Sequence, residues 1–459
     1  VSGAKGVTWN QDGTLLISPT FTGGLFRLPA SGGAMTPVTT LDATLQESSH
    51  RWPWFLPDHQ HFLYVILAAE RRNCGIFVGS LTDPAFKKHL LSDFSRVEYV
   101  PPGYIIYMRG KTLLAQQFDP RRLELKGESF SLGEKAGYDG YSAYGAFSAS
   151  AQGVLSFGKL DEAQKEIVWH DRNGKELGSM GQPADYREPS MSPDGKKVVI
   201  EKRDLETDNN DLWIVELSRG TFSRFTFESS NEVSPVWSPD GKAVIYCSNP
   251  DGRINIYQKQ VSGSGSQEIL VNTADPKYPD GLSSDGRYLL YDELANTTKF
   301  DIWYVDLQNG NKRAPFLNTP FNETHARFSP DGLWVAYSSD ESGRSEVYIR
   351  RFPPSSDVSL QISTTGGDQA QWRIDGKELF YISADRQMMS VPIQPGATLE
   401  PGDPVPLFPA DVDPNGLIDD RNQYLVTADG QKFLFAQRAA QPEVSPITVI
   451  LNWTAMLHP

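Results

Sequence analysis

Cysteine is scarce in this chain: two residues in 459, Cys74 and Cys247, lying in different stretches. That excludes a disulfide framework and a cysteine-rich metal centre, and both thiols are expected in the core. Basic residues are short as well. Lys and Arg number 43 against 57 Asp and Glu, a formal charge of −14, with no long basic run. Nucleic acid or an anionic membrane surface calls for the opposite balance, so neither is an expected partner. Long apolar runs are missing too. The longest, FLYVILAA at Phe62 to Ala69, falls well short of the roughly 20 residues of a spanning helix. Residue 1 is Val and leads into a strand-like GVTW, with neither an initiator Met nor a secretory leader. The expectation is a processed product or a piece of something longer.

What the chain does have is a core and a rhythm. Hydrophobic residues make up 39% and charged residues 22%, the composition of a globular protein. The phrase WSPDGKAVIY, from Trp237, returns as MSPDGKKVVI from Met191, LSSDGRYLLY from Leu282, FSPDGLWVAY from Phe328 and WRIDGKELFY from Trp372. Taking the turn Asp as a marker, positions 194, 240, 285, 331, 375 and 429 are separated by 46, 45, 46, 44 and 54 residues. A period near 45 is the size of one four-stranded propeller sheet.

Within one period the strand signals alternate with turn signals. Residues 231–272 read as an apolar run ending in Trp237, the SPDG turn, Ala243 to Tyr246, a second turn at NPDGR, INIYQKQV, a Gly/Ser turn and QEILV. DLWIVEL, FDIWYVDL, EVYIRRF and PITVILNW occupy the third-strand position of their units. The N-terminal part carries weaker versions: WNQDGTLLIS, FLPDHQHFLYV, VPPGYIIYM and SASAQGVLSF. The expected fold is an all-β propeller of about ten four-stranded repeats, divided into weak repeats over 1–142 and a six-bladed region over 143–459. The six C-terminal units close through KELGSMG near Gly174 to Gly181, or one ten-bladed ring forms instead. In Ser-Pro-Asp-Gly the Pro, Asp and Gly each suit a tight reversal, so the recurring Asp reads as a turn former and not as a catalyst. A lone four-stranded sheet would leave apolar surface wet, and repetition covers it.

The SPDG phrase followed by an I/V-Y strand resembles TolB-like propellers. SHRWPWFLPD (Ser49 to Asp58), FDPRRLEL (Phe118 to Leu125), FNETHARFSPDG (Phe321 to Gly332), ESGRSEVYIRRFP (Glu341 to Pro353) and PITVILNWTA are similar to the C-terminal propeller region behind bacterial, especially acidobacterial, serine/threonine protein kinases. The resemblance implies an extracytoplasmic, sensory propeller. It does not carry phosphoryl transfer across, because the chain has no Gly-rich loop of the required pattern, no VAIK-like lysine strand and no HRD; His50 to Trp52 reads HRW.

Chemistry is sparse. No G-x-S-x-G elbow occurs, and GSGS at Gly263 to Ser266 reads as a hairpin loop. His50, His59 and His61 are close in sequence, yet zinc needs three or four convergent ligands, and a turn histidine and sheet-surface histidines are the expected roles. DVDPNGLIDDRN, from Asp411 to Asn422, places Asp411, Asp413, Asn415 and Asp419 at loop positions one, three, five and nine with Gly416 at six, the pattern of a calcium loop. Asn422 stands where a bidentate Glu belongs, and an acidic solvated insertion is the other reading. No other cofactor is expected.

The resulting expectation is a non-catalytic module that binds a protein, peptide or small ligand through loops at one end of the channel. The alternative is a self-assembling structural protein, a homo-oligomer docking through an incomplete sheet; a hydrolase or lyase is the third reading.

Overall fold

The computed structural model describes the chain apart from residues 1–3, 21–22, 69–70, 141, 160–163, 205–206, 208, 251–252, 264, 274, 296–298, 355–358, 395–397, 413–421, 440–445 and 458–459. Its regular structure is nearly all strand, in antiparallel sheets. Two compact units form: Val1–Glu162 with Pro442–Pro459, and Ala163–Gln441.

The repeated turn forms for the reasons its residues supply. In the 238–243 turn, Ser238 Oγ donates to Asp240 Oδ1 at 2.7 Å, the same carboxylate accepts the Lys242 N–H at 3.0 Å, and the Ala243 N–H returns to Ser238 Oγ at 2.9 Å. Gly241 takes φ +68°, which a glycine adopts without steric cost. The pattern recurs with Ser192 and Asp194, Ser283 and Asp285, Ser329 and Asp331, and Thr427 and Asp429. Where Arg373 replaces the serine, its guanidinium grips Asp375 instead.

Among the described residues unit 1 contains four sheets of three or four strands and one two-stranded pair, Tyr138–Asp139 with Tyr144–Gly145. Sheet 1 spans 7–37, sheet 2 spans 47–91 and sheet 3 spans 98–135, each of four strands; sheet 4 has three, Phe147–Ala149, Val154–Phe157 and Thr448–Leu451. Successive sheets share a core. Leu16, Leu25 and Val38 meet Phe62, Tyr64 and Ile66; Leu63, Ile76 and Val78 meet Ile105, Tyr107 and Leu114; Ile106, Met108 and Leu113 meet Leu155, Phe157 and Trp453. A division after residue 142 assigns Phe147–Ala149 and Val154–Phe157 to the C-terminal sheets. They lie in unit 1, because the terminal PITVILNW strand pairs with Val154–Phe157 and not with its sequence neighbour at 432–438.

Unit 2 contains six sheets: 5 (185–224), 6 (232–271), 7 (277–317), 8 (323–361), 9 (367–409) and 10, in which Tyr424–Val426 and Lys432–Arg438 are joined by Lys165–Asp171 and the first half of Glu176–Met191. The third-strand place that PITVILNW leaves is thus taken by Lys165–Asp171. Strand alternation lets each sheet serve two neighbours. In Ala243–Ser248, Val244 and Tyr246 pack with Val199 and Leu212 of sheet 5, while Ile245 packs with Leu289 and Tyr291 of sheet 7. Equivalent cores join sheets 7 and 8, 8 and 9, 9 and 10, and finally 10 and 5 through Leu425 and Leu434 against Val198 and Ile200. Within unit 2, among the described residues, the six cores thus follow one another in a closed circle. Each buried Val, Leu, Ile or Phe is worth about 1.5–3 kcal/mol, against about 1 kcal/mol for a turn hydrogen bond. Packing between sheets therefore holds the propeller, and the turns set its register.

Candidate binding site

The first strands of sheets 5 to 10 are mutual neighbours and form the inner lining of unit 2. Five of them carry a bulge at the same offset ahead of the turn, between Arg187 and Ser190, Val233 and Val236, Pro279 and Gly281, Thr324 and Arg327, and Asp368 and Gln371. At four of these the residue takes positive φ: Glu188 +44°, Ser234 +56°, His325 +56° and Gln369 +58°. A bulge adds a residue and re-aims its side chain. Four non-glycine residues in this strained region at one structural level mark a specialised lining.

A polar network runs across these bulges. His325 Nδ1 lies 2.8 Å from Asp368 Oδ1, which also accepts Ser338 Oγ at 2.6 Å and the Gln369 N–H at 2.7 Å. The His325 N–H points to Asp292 Oδ2 at 3.2 Å, and Arg327 donates to the carbonyl and carboxylate of Asp280. Gln371 Nε2 reaches Tyr424 O at 2.8 Å, Tyr424 Oη reaches Gln369 O at 2.9 Å, and the Gln423 N–H reaches Gln369 Oε1 at 2.8 Å. Burial resists ionisation of Asp368, but the charge and hydrogen bond of His325 outweigh it and hold the carboxyl below its usual range. At Asp280 burial wins and pushes the carboxyl up, against the pull of Asp292, Arg327 and His325. Ser338 Oγ donates to the Asp368 carboxylate and not to His325, so the three residues are not in the serine-to-imidazole order of a hydrolase triad.

At the entrance of the inner strands lies a second set of buried charges. Glu232 accepts from Ser230 and Ser248 at 2.6 and 2.9 Å, and burial raises its carboxyl to about 7. Glu323, beside Thr319, is likewise raised to about 7 by burial. Between them Lys277 donates to Ile254 O and Asn255 Oδ1 at 2.9 and 2.8 Å, and burial lowers it to about 8.

The two ends of unit 2 differ in kind. One carries the uniform turns, where a shallow cavity of about 370 Å³ between sheets 5 and 6 is lined by Ser192, Asp194, Trp237, Pro239 and neighbours already bonded to one another. At the other, where second strands pass to third strands, the described residues are unlike from sheet to sheet: Asp204, Asn249 and Arg253, Lys299, DESGR at 340–344 and ADR at 384–386. There Lys299 pairs with Asp340 at 2.6 Å, Asp340 also caps the Asn322 N–H at 2.8 Å, and Arg344 pairs with Glu346 at 2.7 Å.

The three neighbouring histidines do not converge. His50 bonds Glu47 at 3.1 Å and Thr39 at 2.7 Å in the interior, His59 accepts the Gln11 N–H at 3.3 Å in a turn, and His61 pairs with Asp58 at 2.6 Å. Of the calcium-loop candidates Asp411 is exposed; Asp413, Asn415 and Asp419 lie outside the described residues. Cys74 and Cys247 are both buried, as expected for core thiols. The network around His325 and Asp368 carries no sequence motif. Its one signal is the shared offset from the turn, where Glu188, Ser234, Pro279, His325 and Gln369 vary while their surroundings repeat.

The fold is a β-propeller, and residues 155–315 match the family model of the TolB beta propeller domain. The Tol-Pal system protein TolB of Francisella tularensis subsp. tularensis (strain WY96-3418) is 26% identical over 201 residues, 43% of each chain. The protein of the same name from Francisella tularensis subsp. mediasiatica (strain FSC147) matches equally over 201 residues. The matched stretch thus spans 43% of the length of these curated relatives. Among solved structures, TolB from Agrobacterium tumefaciens superposes on 61% of this chain and 99% of its own with TM-score 0.47 and 18% identity.

Proposed function

We propose that the chain is a non-catalytic, extracytoplasmic binding or sensory module that recognises a protein, peptide or small ligand through the variable loops at one end of unit 2. The observation that carries this reading is the contrast between the ends. A binding site needs unlike groups converging on one place, and only the end bearing Lys299, Asp340 and Arg344 offers them; the other repeats one turn. The inner network supports the same reading, since its carboxylates are held by His325, Arg327 and Ser338 in a lining and not aimed at a reacting atom. Extracytoplasmic placement rests on the likeness to TolB-type propellers and to the region behind bacterial kinases, with relatives named for the Tol-Pal system. Among the described residues no helix is long and apolar enough to cross a membrane.

Peptide and glycan arrays probed with the wild-type chain, with Lys299→Ala/Arg344→Ala and with Ser238→Ala test it. The double variant is expected to lose the wild-type binding pattern while the turn variant keeps it. Equal patterns for all three, or turnover of ester, peptide or glycoside substrates by the wild type, overturn the reading.

A further inference from the structure

The first strands of sheets 1 to 4 follow one another along the inner side of unit 1, and sheet 2 carries an irregularity there. Its register shifts between Arg51 and Trp54, and Trp52 takes φ +52°, three residues ahead of Phe55, the offset that His325 keeps from Phe328. A side chain as bulky as tryptophan is a strained occupant of the left-handed region, and such strain persists only where the surroundings enforce it. Here they do. The indole N–H donates to Ser142 O at 2.7 Å, and the ring packs on the core of Val65, Phe94 and Ala143. The bulge and this anchor set the indole against Tyr144, with ring centres 5.2 Å apart and planes at 46°, and both rings stay half-buried.

Arg96 continues the row. Its guanidinium lies 5.6 Å from the centre of the Tyr144 ring and 5.1 Å from that of Phe147, and its backbone N–H holds Ala143 O at 2.7 Å. Nη2 pairs with the buried Glu98, whose other oxygen accepts the Ala149 N–H at 2.8 Å. Among the described residues Nε and Nη1 have no partner, nor has Tyr144 Oη, and the Arg96 side chain is 19% exposed. These features select a ligand. Half-buried aromatic faces take apolar surface, and unfilled N–H and O–H donors take oxygen. Trp52 and Tyr144 touch at an angle and leave no parallel gap for a flat ring, so the C–H face of a puckered ring fits better. Because Arg96 is already paired with Glu98, its remaining donors suit neutral oxygens more than a carboxylate or phosphate. A proline ring is puckered too, but it brings one carbonyl to three donor groups, whereas a sugar ring carries hydroxyls along its rim.

We propose that Trp52, Tyr144 and Arg96 form a binding site for a neutral sugar ring on the inner side of unit 1, its C–H face resting on the two aromatic rings and its hydroxyl oxygens taking the free donors of Arg96 and Tyr144. Ser142 and Glu98 act as positioning residues, one through the indole and the other through the guanidinium. The site is separate from the loops of unit 2 and independent of any ligand there. A single ring held on one face binds at about millimolar strength, which a washed array does not retain, so the test is made in solution.

Saturation-transfer NMR and calorimetric titration of the full chain with the methyl glycosides of glucose, galactose, mannose and N-acetylglucosamine test this. At least one is expected to bind with a Kd of about 1 mM. Tyr144→Phe keeps the ring and should weaken that binding about 5-fold, the equivalent of one hydrogen bond. Arg96→Lys keeps a cation beside Glu98 but loses the fork of donors, and should weaken it at least ~10-fold. Far-ultraviolet circular dichroism and the melting temperature of Tyr144→Phe should match the wild type, so that lost binding is not lost folding. Lys299→Ala/Arg344→Ala should leave the Kd unchanged, which separates this site from the loops of unit 2. A wild type that binds none of the four sugars overturns the proposal, and so does sugar binding that survives Tyr144→Phe and Arg96→Lys unaltered. Binding of a polyproline peptide in place of the sugars, lost in Tyr144→Ala, would assign the aromatic pair to a peptide and overturn it as well.

Discussion

His325 Nδ1 and Asp368 Oδ1 stand 2.8 Å apart and join the inner strands of sheets 8 and 9 at their bulges. The pair is fully enclosed, so its worth lies in mutual compensation: removing one partner leaves the other charged and buried. His325→Ala leaves a carboxylate that retains Ser338, Ser345 and the Gln369 N–H but loses its histidine partner, and is expected to cost about 3 kcal/mol in urea unfolding. Ser338→Ala removes one hydrogen bond and should cost about 1 kcal/mol. The pH dependence has a fixed sign. The folded carboxyl of Asp368 is held below the ordinary value of 3.8, so its stabilisation is present above that value and disappears as pH falls through the folded one. The gap between wild type and His325→Ala should therefore narrow in acid. A gap that stays constant down to pH 2 would contradict the pairing.

Closure of unit 2 depends on a strand pair separated by most of the unit's length, Lys165–Asp171 on Lys432–Arg438. Phe433, fully buried, packs its ring against Phe380 at 5.2 Å and Phe408 at 5.4 Å, and so binds the closing sheet to sheet 9. Phe433→Ala should cost about 3–5 kcal/mol. Because the closing sheet touches both neighbours, hydrogen exchange is expected to quicken first in Lys165–Asp171 and Tyr424–Val426, while Ala243–Ser248, across the ring, stays protected.

What was legible in the sequence was what is local. Ser238, Pro239, Asp240 and Gly241 specify their turn within a few residues, and the alternation of Val244, Ile245 and Tyr246 specifies a strand serving two cores. The His325–Asp368 pair was not legible, since its partners lie a whole repeat apart and meet through two bulges that no pattern of apolar residues announces. The placing of Thr448–Leu451 was hidden for a related reason. Its composition reads as a third strand, and composition does not say of which sheet; Lys165–Asp171 occupies the nearer place, and the strand pairs with Val154–Phe157. The unlike loops at one end of unit 2 could be seen as exceptions to the repeat, but only the ring brings them to one end.

Two glycines separate backbone strain from crowding. A Cβ on Gly241 would sit 3.7 Å from Pro193 Cδ, an ordinary contact, so Gly241→Ala meets only the strain of φ +68° and should cost roughly 1–2 kcal/mol. Gly174 has a similar φ of +79°, but its Cβ would lie 2.6 Å from Phe408 Cβ. Gly174→Ala should therefore destabilise more than Gly241→Ala in parallel thermal melts. Equal losses would show that the contact with Phe408 yields freely.

The two raised carboxyls make unit 2 sensitive to pH near neutrality. Glu232 and Glu323 titrate at about 7 when folded against 4.5 ordinarily, chiefly because burial disfavours the anion. A folded pKa above the unfolded one means that the native state binds the proton more tightly, so the stability each group contributes is complete below 4.5 and is lost as pH rises through about 7. Lys277 works in the opposite sense over a different window. Its folded value of about 8 lies below 10.5, so its contribution is present above 10.5 and is lost as pH falls through about 8. Between pH 5 and 7, then, the carboxyls change and the ammonium does not. Glu323→Gln keeps the shape and a hydrogen-bonding group for Thr319 while deleting the titration. Its stability relative to wild type should rise from pH 5 to about pH 7 and level off above it, with Glu232→Gln behaving alike, and Lys277→Met should leave the slope between pH 5 and 7 unchanged. A Glu323→Gln variant whose urea midpoint runs parallel to wild type over the whole range would mean that the folded carboxyl ionises as it does in water.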